Sequence, residues 1–447
     1  MRRLKVLVAA YACDPYRGSE MAVGWSWLTA IARNHEVWVI TADWQRENIE
    51  RFIACVPTMY ANIHFAYVTP KPWHYSDAKP FWRLCERSIL KPLMHSSYKI
   101  WQRDAFKLAR ELHKKVQFDL VHQLTFVGFR FPGHLWKLDI PFVWGPIGGL
   151  ENMPWRLLLT MGFRGAVYYA ARNAVNSAHR RLLRGPRRAF RRASAVIAAT
   201  SGIQGEILRW YGVPSEVISE VGAPFEAATE FALRAPGEPL RIAWSGRHLP
   251  GKALQLLLRA LRATPEGVDW RLEIWGDGPC RSGWQKLASR IGIDARCTWR
   301  GEVPRDEALS GLRRAHVFVI TSLKDLTSTV IIEALAQGVP VICPDHCGFS
   351  DVVTDECGIK LPIHSTGEFE QRLARAVAEL ASDEERRQRL AAGALRRARA
   401  YSLEAKAEAI ERVYRDALQH YRARVNAGDV SRGGSAHART EAAVDQL

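Results

Sequence analysis

The segment SLKDLTSTVIIEALAQGVPVI, from Ser322 to Ile342, predicts the exit of one strand, a helix and a second strand. Two carboxylates, Asp325 and Glu333, lie eight positions apart within it, and the hydroxyl run Thr327–Thr329 opens the predicted helix. Glu333 falls among apolar neighbours, where a carboxylate is costly unless a ligand hydroxyl or a basic side chain partners it. The segment therefore predicts a βαβ unit that carries polar groups at and beyond the start of its helix.

The same alternation of short apolar strands and helices continues on both sides of this segment. LKVLVAAY, HEVWVITA and IPFVWG are strand-like in the first half, and RIAWS, LEIWG and VFVITS in the second. This rhythm predicts an α/β protein with two doubly wound, Rossmann-like domains and a cleft at the carboxyl ends of their strands. The predicted division is a first domain 1–222, a linker 223–239, a second domain 240–402, a long helix 403–425 and a disordered tail 426–447.

Composition narrows the class of protein. The chain has 447 residues, of which 47% are hydrophobic and 24% charged, as expected for a globular protein with more than one core. No apolar run reaches the roughly 18 residues of a membrane-spanning helix, and the N-terminal apolar run predicts a buried strand rather than a signal peptide. Eight cysteines without paired spacing indicate reduced thiols. We therefore expect a cytoplasmic protein.

The net charge of +17 is uneven and predicts an anionic partner. Between residues 152 and 205 there are ten arginines and no Asp, Glu or Lys. At 100° per residue, a helix over HRRLLRGPRRAFRR would place Leu182, Leu183, Ala189 and Phe190 on one side and its arginines on the other, and Pro186 would kink or split it. The arginine side comprises Arg180, Arg181, Arg184, Arg187, Arg188, Arg191 and Arg192.

Two interpretations of this charge stay open. In the first, the arginines are the solvated face of a packed helix. In the second, the arginine-rich segment 156–192 and the basic, aromatic segment 71–110 contact anionic lipid peripherally on the cytoplasmic face of the inner membrane. We do not expect nucleic acid as a partner, since no stacking aromatics alternate with the arginines and no known binding module is present.

Several polar features follow predicted strands, where a doubly wound sheet binds ligands. SGRHLPGK places Arg247 and Lys252 in a loop where two cations would grip a diphosphate, although exposed cations are common in loops. The free amides at the start of the helix after Asp325 suit a phosphate, and side-chain capping by Asp325 or Thr327 is the alternative. GDGP, RGEV and RGSE are further turns, with Gly18 allowing close approach of backbone to a ligand.

In combination these parts resemble a known family. From residue 241 to about 361 the chain is similar to the C-terminal domain of the retaining GT-B glycosyltransferases of family 4. Six ordered motifs carry the resemblance: SGRHLPGK, LEIWGDGP, WRGEV, VFVITS, Asp-x7-Glu with EALAQGVPVI, and CGFSDVV. The first half is similar more loosely, through RGSE, FDLVHQ and SAVIAATS, and the last helix looks like one that crosses back to the first domain.

The resemblance implies a set of site residues. Arg247 and Lys252 match the pair that neutralises the donor diphosphate, and Asp325 and His122 match the remaining catalytic positions. The implied substrate-binding residues lie at four places in the chain. They are Gly18 and Ser19 near the phosphate and donor sugar; Gly301, Glu302 and Val303 at the base; Leu326, Thr327, Ser328 and Thr329 at the phosphates; and Glu333 at the ribose.

The chain departs from the family pattern at several of these positions. Asp325 stands where a Glu is usual at the donor sugar, and LTS replaces the usual GFG after it. Cys347 and Asp351 replace a Gly and a Glu in the next loop. His122 fits the first position of a His-x-His motif but Leu124 occupies the second, so His122 is either a site residue or a buried structural histidine.

The reaction implied by the resemblance is transfer of a hexose-type sugar from a nucleoside diphosphate sugar to a glycan or lipid-linked acceptor, with retention of anomeric configuration. No Asp-x-Asp motif is present and Cys343, His346, Cys347 and Cys357 match no standard zinc spacing, so we expect neither a metal nor another cofactor. Buried thiols are the simpler interpretation of that cysteine cluster. A nucleotide-sugar epimerase of the same fold, or less plausibly a nucleic-acid-binding protein, is the alternative function.

Overall fold

The computed structural model describes residues 2–18, 20–69, 91–222 and 227–428. Ser19, the first part of the basic segment 71–110, residues 223–226 of the predicted linker and residues 429–447 of the predicted tail lie outside the described residues.

The first half of the chain forms a seven-stranded parallel sheet with the order β3-β2-β1-β4-β5-β6-β7. Its strands are β1 (Lys5–Ala10), β2 (Glu36–Ala42), β3 (Ile63–Val68), β4 (Leu120–Thr125), β5 (Phe142–Ile147), β6 (Ala195–Ala198) and β7 (Glu216–Val217). Every residue of β4 and β5 is buried. Continuous burial is what a parallel strand covered by helices on both faces requires, and it explains the unbroken apolar runs in the sequence.

The second half forms a six-stranded parallel sheet with the order β10-β9-β8-β11-β12-β13. Its strands are β8 (Leu240–Ser245), β9 (Trp270–Trp275), β10 (Cys297–Gly301), β11 (Val317–Val319), β12 (Val341–Pro344) and β13 (Gly358–Leu361). In both sheets the strand order reverses beside the first strand, between β1 and β4 and between β8 and β11. Ligands bind at such reversals, and the expected pair of Rossmann-like domains is confirmed.

The helices cover both faces of the two sheets. In the first half they are α1 (Glu20–Ala32), α2 (Arg46–Cys55), α3 (Lys91–Val116), α4 (Gly162–Leu182), α5 (Arg184–Arg192) and α6 (Ser201–Tyr211). In the second half they are α7 (Leu254–Arg262), α8 (Arg281–Arg290), α9 (Arg305–Arg314), α10 (Thr329–Ala336), α11 (Phe349–Val352), α12 (Thr366–Ser382), α13 (Glu384–Arg399) and α14 (Leu403–Asn426).

Helix α14 returns from the second domain to the first, as predicted for the last helix. Its apolar residues Ile410, Val413 and Ala417 belong to the same core cluster as Trp27 and Ile31 of α1. The hydroxyl of Tyr421 also donates a hydrogen bond to the Asp139 carbonyl at 2.7 Å. The predicted division of the chain into segments stays a prediction.

The arginine-rich segment forms two helices rather than one. The chain is extended at Leu183, with ψ of 114°, so α4 ends and α5 begins there, as Pro186 predicted. Ala189 and Phe190 are buried as expected, but the predicted positions of Arg180 and Leu182 were wrong: Arg180 is 5% exposed and Leu182 is 75% exposed. Arg180 and Leu182 belong to α4, a helix that begins 18 residues before Arg180. The side of α4 that faces the protein is set along this whole length, and it differs from the side that the local pattern predicted.

Candidate active site

The first element of the candidate site is the loop after β8, at the strand reversal of the second sheet. It carries Arg247 and ends in a short turn, Pro250–Lys252. The hydroxyl of Thr321, just beyond β11, donates to the Lys252 carbonyl at 2.8 Å and fixes this loop to the neighbouring strand end. Arg247 is exposed, and its guanidinium has no hydrogen bond or ion pair with any described residue. Its donors are therefore available to an anionic ligand.

Lys252 and Asp325, which the resemblance assigned to different parts of a donor, form an ion pair with each other. The two side chains are only 22% and 24% exposed, so the pair lies within the cleft rather than on the outer surface. Asp325 also accepts a hydrogen bond from the Leu326 amide at 3.1 Å. Asp325 thus ties the cation to the loop that precedes α10, and a donor would have to share or open this pair.

The start of α10 has amides that no described side chain caps. Ser328 is the residue before the helix and makes no capping bond, so capping by Asp325 or Thr327 does not occur. Thr327 is instead bound to a buried carboxylate: its amide and hydroxyl donate to Glu220 at 2.8 and 3.0 Å. Within the described ranges, the amides of Ser328 and Thr329 have no protein acceptor, and they are the part of this helix start that suits a phosphate.

Glu333 has the basic neighbour that was one of its two expected partners. Arg305 donates to Glu333 from Nε at 3.1 Å and from Nη2 at 2.7 Å, both to Oε1. The Glu333 side chain is 15% exposed, so this bidentate pair offsets the cost of placing a carboxylate inside an apolar helix. Contact of Glu333 with a ribose stays a prediction.

The two turns expected to face one side do meet. The Gly276 amide of the GDGP turn donates to the Gly301 carbonyl of the RGEV turn at 2.7 Å. Gly301 has a φ of +76°, a left-handed conformation that favours glycine. Beside it, Glu302 is exposed and Val303 is half-buried, so this turn forms an open edge next to the loop after β8.

On the first domain, Gly18 is exposed in the loop after β1. The next described residue, Glu20, was missed by the sequence reasoning although it belongs to the quoted RGSE. Its carboxylate accepts the Val127 amide at 2.9 Å, and burial together with the nearby Glu220 carboxylate raises the pKa of Glu20 to about 7. A carboxyl whose pKa is raised by burial, next to a predicted donor loop, is a candidate functional position.

Contacts across the cleft hold the two domains together at the site. The amide of Ser201, at the start of α6, donates to Asp351 at 2.7 Å. The Lys324 ammonium donates to the Glu151 carbonyl at 2.6 Å. Leu326 approaches Gly148 so closely that a β-carbon at Gly148 would lie 2.4 Å from its Cδ1. Leu326 therefore contacts the first domain, and Lys324 is a second residue that the motifs did not indicate.

The loop of Cys347 shows why glycine is usual there in the resembled family. Cys347 has a φ of +57°, a left-handed conformation that costs a residue with a side chain. Its sulfur accepts the Asp325 amide at 3.4 Å and so supports the loop that carries Asp325. Among the described residues no three His, Cys, Asp or Glu side chains are grouped as metal ligands would be, which does not support the zinc alternative for the cysteine cluster.

His122 has the geometry of a structural histidine. Its ring is fully buried on β4, with Nδ1 at 2.8 Å from the Tyr414 hydroxyl and Nε2 at 2.8 Å from the Gly145 carbonyl. A carbonyl only accepts, so Nε2 donates to Gly145 and Nδ1 accepts from Tyr414, which defines a neutral ring. Burial lowers the pKa of His122 to about 4. This arrangement leaves neither nitrogen free for a substrate.

We expect this histidine to destabilise the protein in acid. Between pH 6.5 and 4 the unfolded chain binds a proton that the folded chain does not, so the free energy of unfolding falls as the pH falls. From pH 7 to pH 5 the loss from this group is about 2 kcal/mol. Urea unfolding at both pH values should show a smaller difference for His122→Gln than for the wild type; equal differences would contradict a neutral buried His122.

None of the helices in the described parts of the chain is both long and apolar enough to cross a bilayer.

Comparison with known proteins agrees with the two-domain geometry. A model described as "Glycosyl transferases group 1" matches residues 226–397, and one described as "Glycosyltransferase Family 4" matches residues 28–221. The D-inositol 3-phosphate glycosyltransferase of Nocardia farcinica is 31% identical over 314 residues, which cover 64% of this chain and 67% of the relative. Another relative with that name, from Streptomyces bingchenggensis, is 31% identical over 253 residues, 52% of this chain and 54% of the relative. The matches thus span from about half to two thirds of these curated relatives.

Solved structures share the fold at low sequence identity. Sucrose-phosphate synthase from Thermosynechococcus elongatus superimposes with a TM-score of 0.62 at 17% identity, covering 93% of this chain and 100% of that one. HepE of Anabaena, solved in complex with UDP, gives a TM-score of 0.53 at 15% identity and covers 92% and 98% of the two chains.

Proposed function

This chain belongs to the family 4 glycosyltransferases and has their GT-B fold, and on that premise we propose that it transfers a hexose-type sugar from a nucleoside diphosphate sugar to a glycan or lipid-linked acceptor. We propose further that the transfer retains anomeric configuration and uses no metal. The observation that carries the proposal is the cation set of the second domain: Arg247 lies exposed after β8, and Lys252 lies five residues on, against Asp325.

The proposed chemistry is electrostatic. As the bond between sugar and diphosphate breaks, negative charge grows on the leaving phosphate, and preorganised donors stabilise that charge more strongly than water does. Arg247 and Lys252 lie in the loop that follows β8, and the free amides of Ser328 and Thr329 lie in the chain that follows β11, the strand next to β8 in the sheet. In a retaining reaction of this kind the donor's own phosphate oxygen takes the acceptor's proton, so no protein nucleophile is required.

The donor class is supported by the composition of the site. HepE, a structural neighbour, is described in complex with UDP. In this chain, Glu333 lies about one helix turn beyond the free amides of α10, where we propose that it binds a ribose, and the RGEV turn is an exposed edge that we propose for a base. Both of the hydrogen bonds from Arg305 to Glu333 go to one oxygen, Oε1. We therefore expect a bound ribose either to share the carboxylate with Arg305 or to displace Arg305 from it.

The acceptor is the less defined substrate. The Escherichia coli relative named as a putative colanic acid biosynthesis glycosyltransferase, WcaL, is 27% identical over 205 residues, covering 44% of this chain and 50% of the relative. With the excess of arginine in segment 156–192, it supports a role in polysaccharide or glycolipid assembly, with the enzyme held peripherally on the cytoplasmic face of the inner membrane. The matches do not favour an epimerase, and the absence of a nucleic-acid partner stays a prediction.

A thermal-shift screen tests the proposal directly. We expect one or two of UDP-, GDP-, ADP- and TDP-hexoses to raise the melting temperature, since a ligand at 100 times its Kd adds about 2.7 kcal/mol to the folded state. Glu333→Ala should abolish the shift, whereas Glu266→Ala, an exposed acid of the same domain outside the predicted site, should leave it unchanged. No shift with any of the four donors, at millimolar concentration and with or without magnesium, would contradict the proposed donor class.

A further inference from the structure

Exposed large apolar side chains are concentrated on one part of the first domain. Twelve large apolar side chains are exposed among the described residues, and seven of them fall between positions 155 and 182, on α4 and the short turn of helix before it. These seven residues, which we call the docking face, are Trp155, Leu159, Phe163, Val167, Tyr168, Val175 and Leu182. Such a concentration on a monomer marks a surface that contacts something apolar.

The polarity of α4 is inverted. The docking-face residues that lie on α4, together with the exposed Ala171 and Ala174 between them, cover an arc of about 140° around the helix at 100° per residue. The opposite side of the helix, toward the protein, carries buried polar residues: Asn173 exchanges two hydrogen bonds with the backbone of Met153, at 2.8 and 3.0 Å. Free energy is gained when the apolar outer side of such a helix also leaves water.

The charges around the docking face favour an anionic partner. Leu182 ends α4. Next to it are five exposed arginines: Arg181 on the last turn of α4, and Arg184, Arg187, Arg188 and Arg191 on α5. No acidic residue occurs between positions 152 and 205. Apolar side chains that enter an acyl layer, beside arginines that reach lipid phosphates, are the pattern of a helix lying in a membrane interface.

We propose that the docking face inserts at the boundary between headgroups and acyl chains of an anionic phospholipid leaflet, with α4 parallel to the surface and the α5 arginines on the headgroups. This inference rests on the peripheral location in the proposed function and identifies the surface responsible. It differs from the sequence prediction, in which segment 156–192 and the basic, aromatic segment 71–110 would hold the protein by their charge, because apolar insertion now contributes and Arg180 has no part.

The same segment also contacts the second domain, next to the predicted donor loop. Thr160 and Thr366 hydroxyls lie 2.8 Å apart, and Gln255 donates to the Thr160 carbonyl at 3.2 Å. Tyr169 of α4 reaches Gly251, the residue before Lys252: a β-carbon on that glycine would lie 2.7 Å from the tyrosine hydroxyl. Only the thickness of α4 therefore separates the docking face from the loop of Lys252. If the docking face is in the membrane, the cleft lies next to the membrane surface, which favours an acceptor carried on a lipid.

Vesicle co-sedimentation of the full-length protein tests the docking face. Phe163 and Leu159 are 82% and 80% exposed, so Leu159→Ser/Phe163→Ser should fold normally while lowering the partition coefficient onto phosphatidylglycerol vesicles at least about 10-fold. The matched control is Met59→Ser/Leu233→Ser, two apolar residues exposed by 67% and 66% elsewhere, which should bind like the wild type.

A charge variant separates the two contributions. Arg184→Glu/Arg188→Glu/Arg191→Glu should lower binding to phosphatidylglycerol vesicles about 100-fold, and the wild type should bind pure phosphatidylcholine vesicles far more weakly. Wild-type binding by the serine variant would overturn the proposal. So would a wild-type dimer that the serine variant dissociates in sedimentation velocity without any vesicle binding, since the docking face would then be an interface between two copies. A donor-induced thermal shift, measured without vesicles, reports on the glycosyltransferase proposal separately.

Discussion

Replacing Lys252 by alanine is expected to lower kcat/KM for sugar transfer by about 10²–10³-fold, the range observed when one preorganised charge-stabilising donor is removed from an active site. The structure makes Lys252 the better-held of the two predicted cations. Its loop is fixed by the hydrogen bond from Thr321 to its carbonyl, and its ammonium is held by Asp325. A fixed charge needs no reorganisation when the leaving phosphate forms, so we expect the loss mainly in kcat.

Lys286 provides the control for this experiment, because it is an exposed lysine on α8 of the same domain. Lys286→Ala should retain wild-type rates. Arg247→Ala should also lower kcat/KM strongly, with a larger share in KM, because the exposed Arg247 has more freedom to lose on binding. Turnover near the wild-type rate in Lys252→Ala would show that the diphosphate binds elsewhere.

The second large effect is expected on stability, from Glu220→Ala at the junction of the domains. Glu220 is 6% exposed and accepts both bonds from Thr327, and Lys406 of α14 is 5% exposed, with its ammonium 3.0 Å from the Val221 carbonyl. Burial lowers the pKa of Lys406 to about 7, while the Glu220 carboxylate raises it. Removing the carboxylate takes away the counter-charge of Lys406 and the acceptor of both Thr327 bonds, and we expect a loss of about 3–5 kcal/mol.

Urea unfolding at pH 7 measures this loss of stability. Glu408→Ala is the control, since Glu408 is an exposed acid on α14, the helix that carries Lys406. The double variant Glu220→Gln/Lys406→Met should recover most of the lost free energy, because neither residue then carries a charge. A single variant as stable as the wild type would show that Lys406 is already neutral and that Glu220 is held by Thr327 alone.

The fold was predictable because its signal is local. Strands buried on both faces are continuous apolar runs, and β4 and β5 are such strands. The break in the arginine-rich segment was also local, since Pro186 determines it. The side that α4 buries was not, because Asn173 and Arg180 turn inward only through contacts with a distant loop, such as Leu150 for Arg180.

In the candidate site, too, the residues within local motifs were predictable from the sequence and the contacts between distant residues were not. Arg247, Lys252 and Glu333 stand in ordered motifs of the second domain, and Arg247 and Lys252 follow β8 at the strand reversal of its sheet; their binding roles stay predictions. The partner of Thr327 is Glu220, 107 residues away, and the partner of His122 is Tyr414, 292 residues away. No spacing rule reaches across such separations, so the ties between the domains required the structure. Glu20 was within reach of the sequence, since it follows Gly18 and Ser19 directly.

The return of α14 to the first domain has a consequence for how the protein is made. Strands β1 to β7 leave the ribosome before the roughly 200 further residues that end with α14, and at 5–20 residues per second that delay is about 10–40 s. During this interval Trp27 and Ile31 lack the cover of Ile410 and Val413, and His122 lacks Tyr414. The nascent first domain therefore waits with an uncovered apolar strip, a substrate for chaperones, until the last helix of the chain closes it.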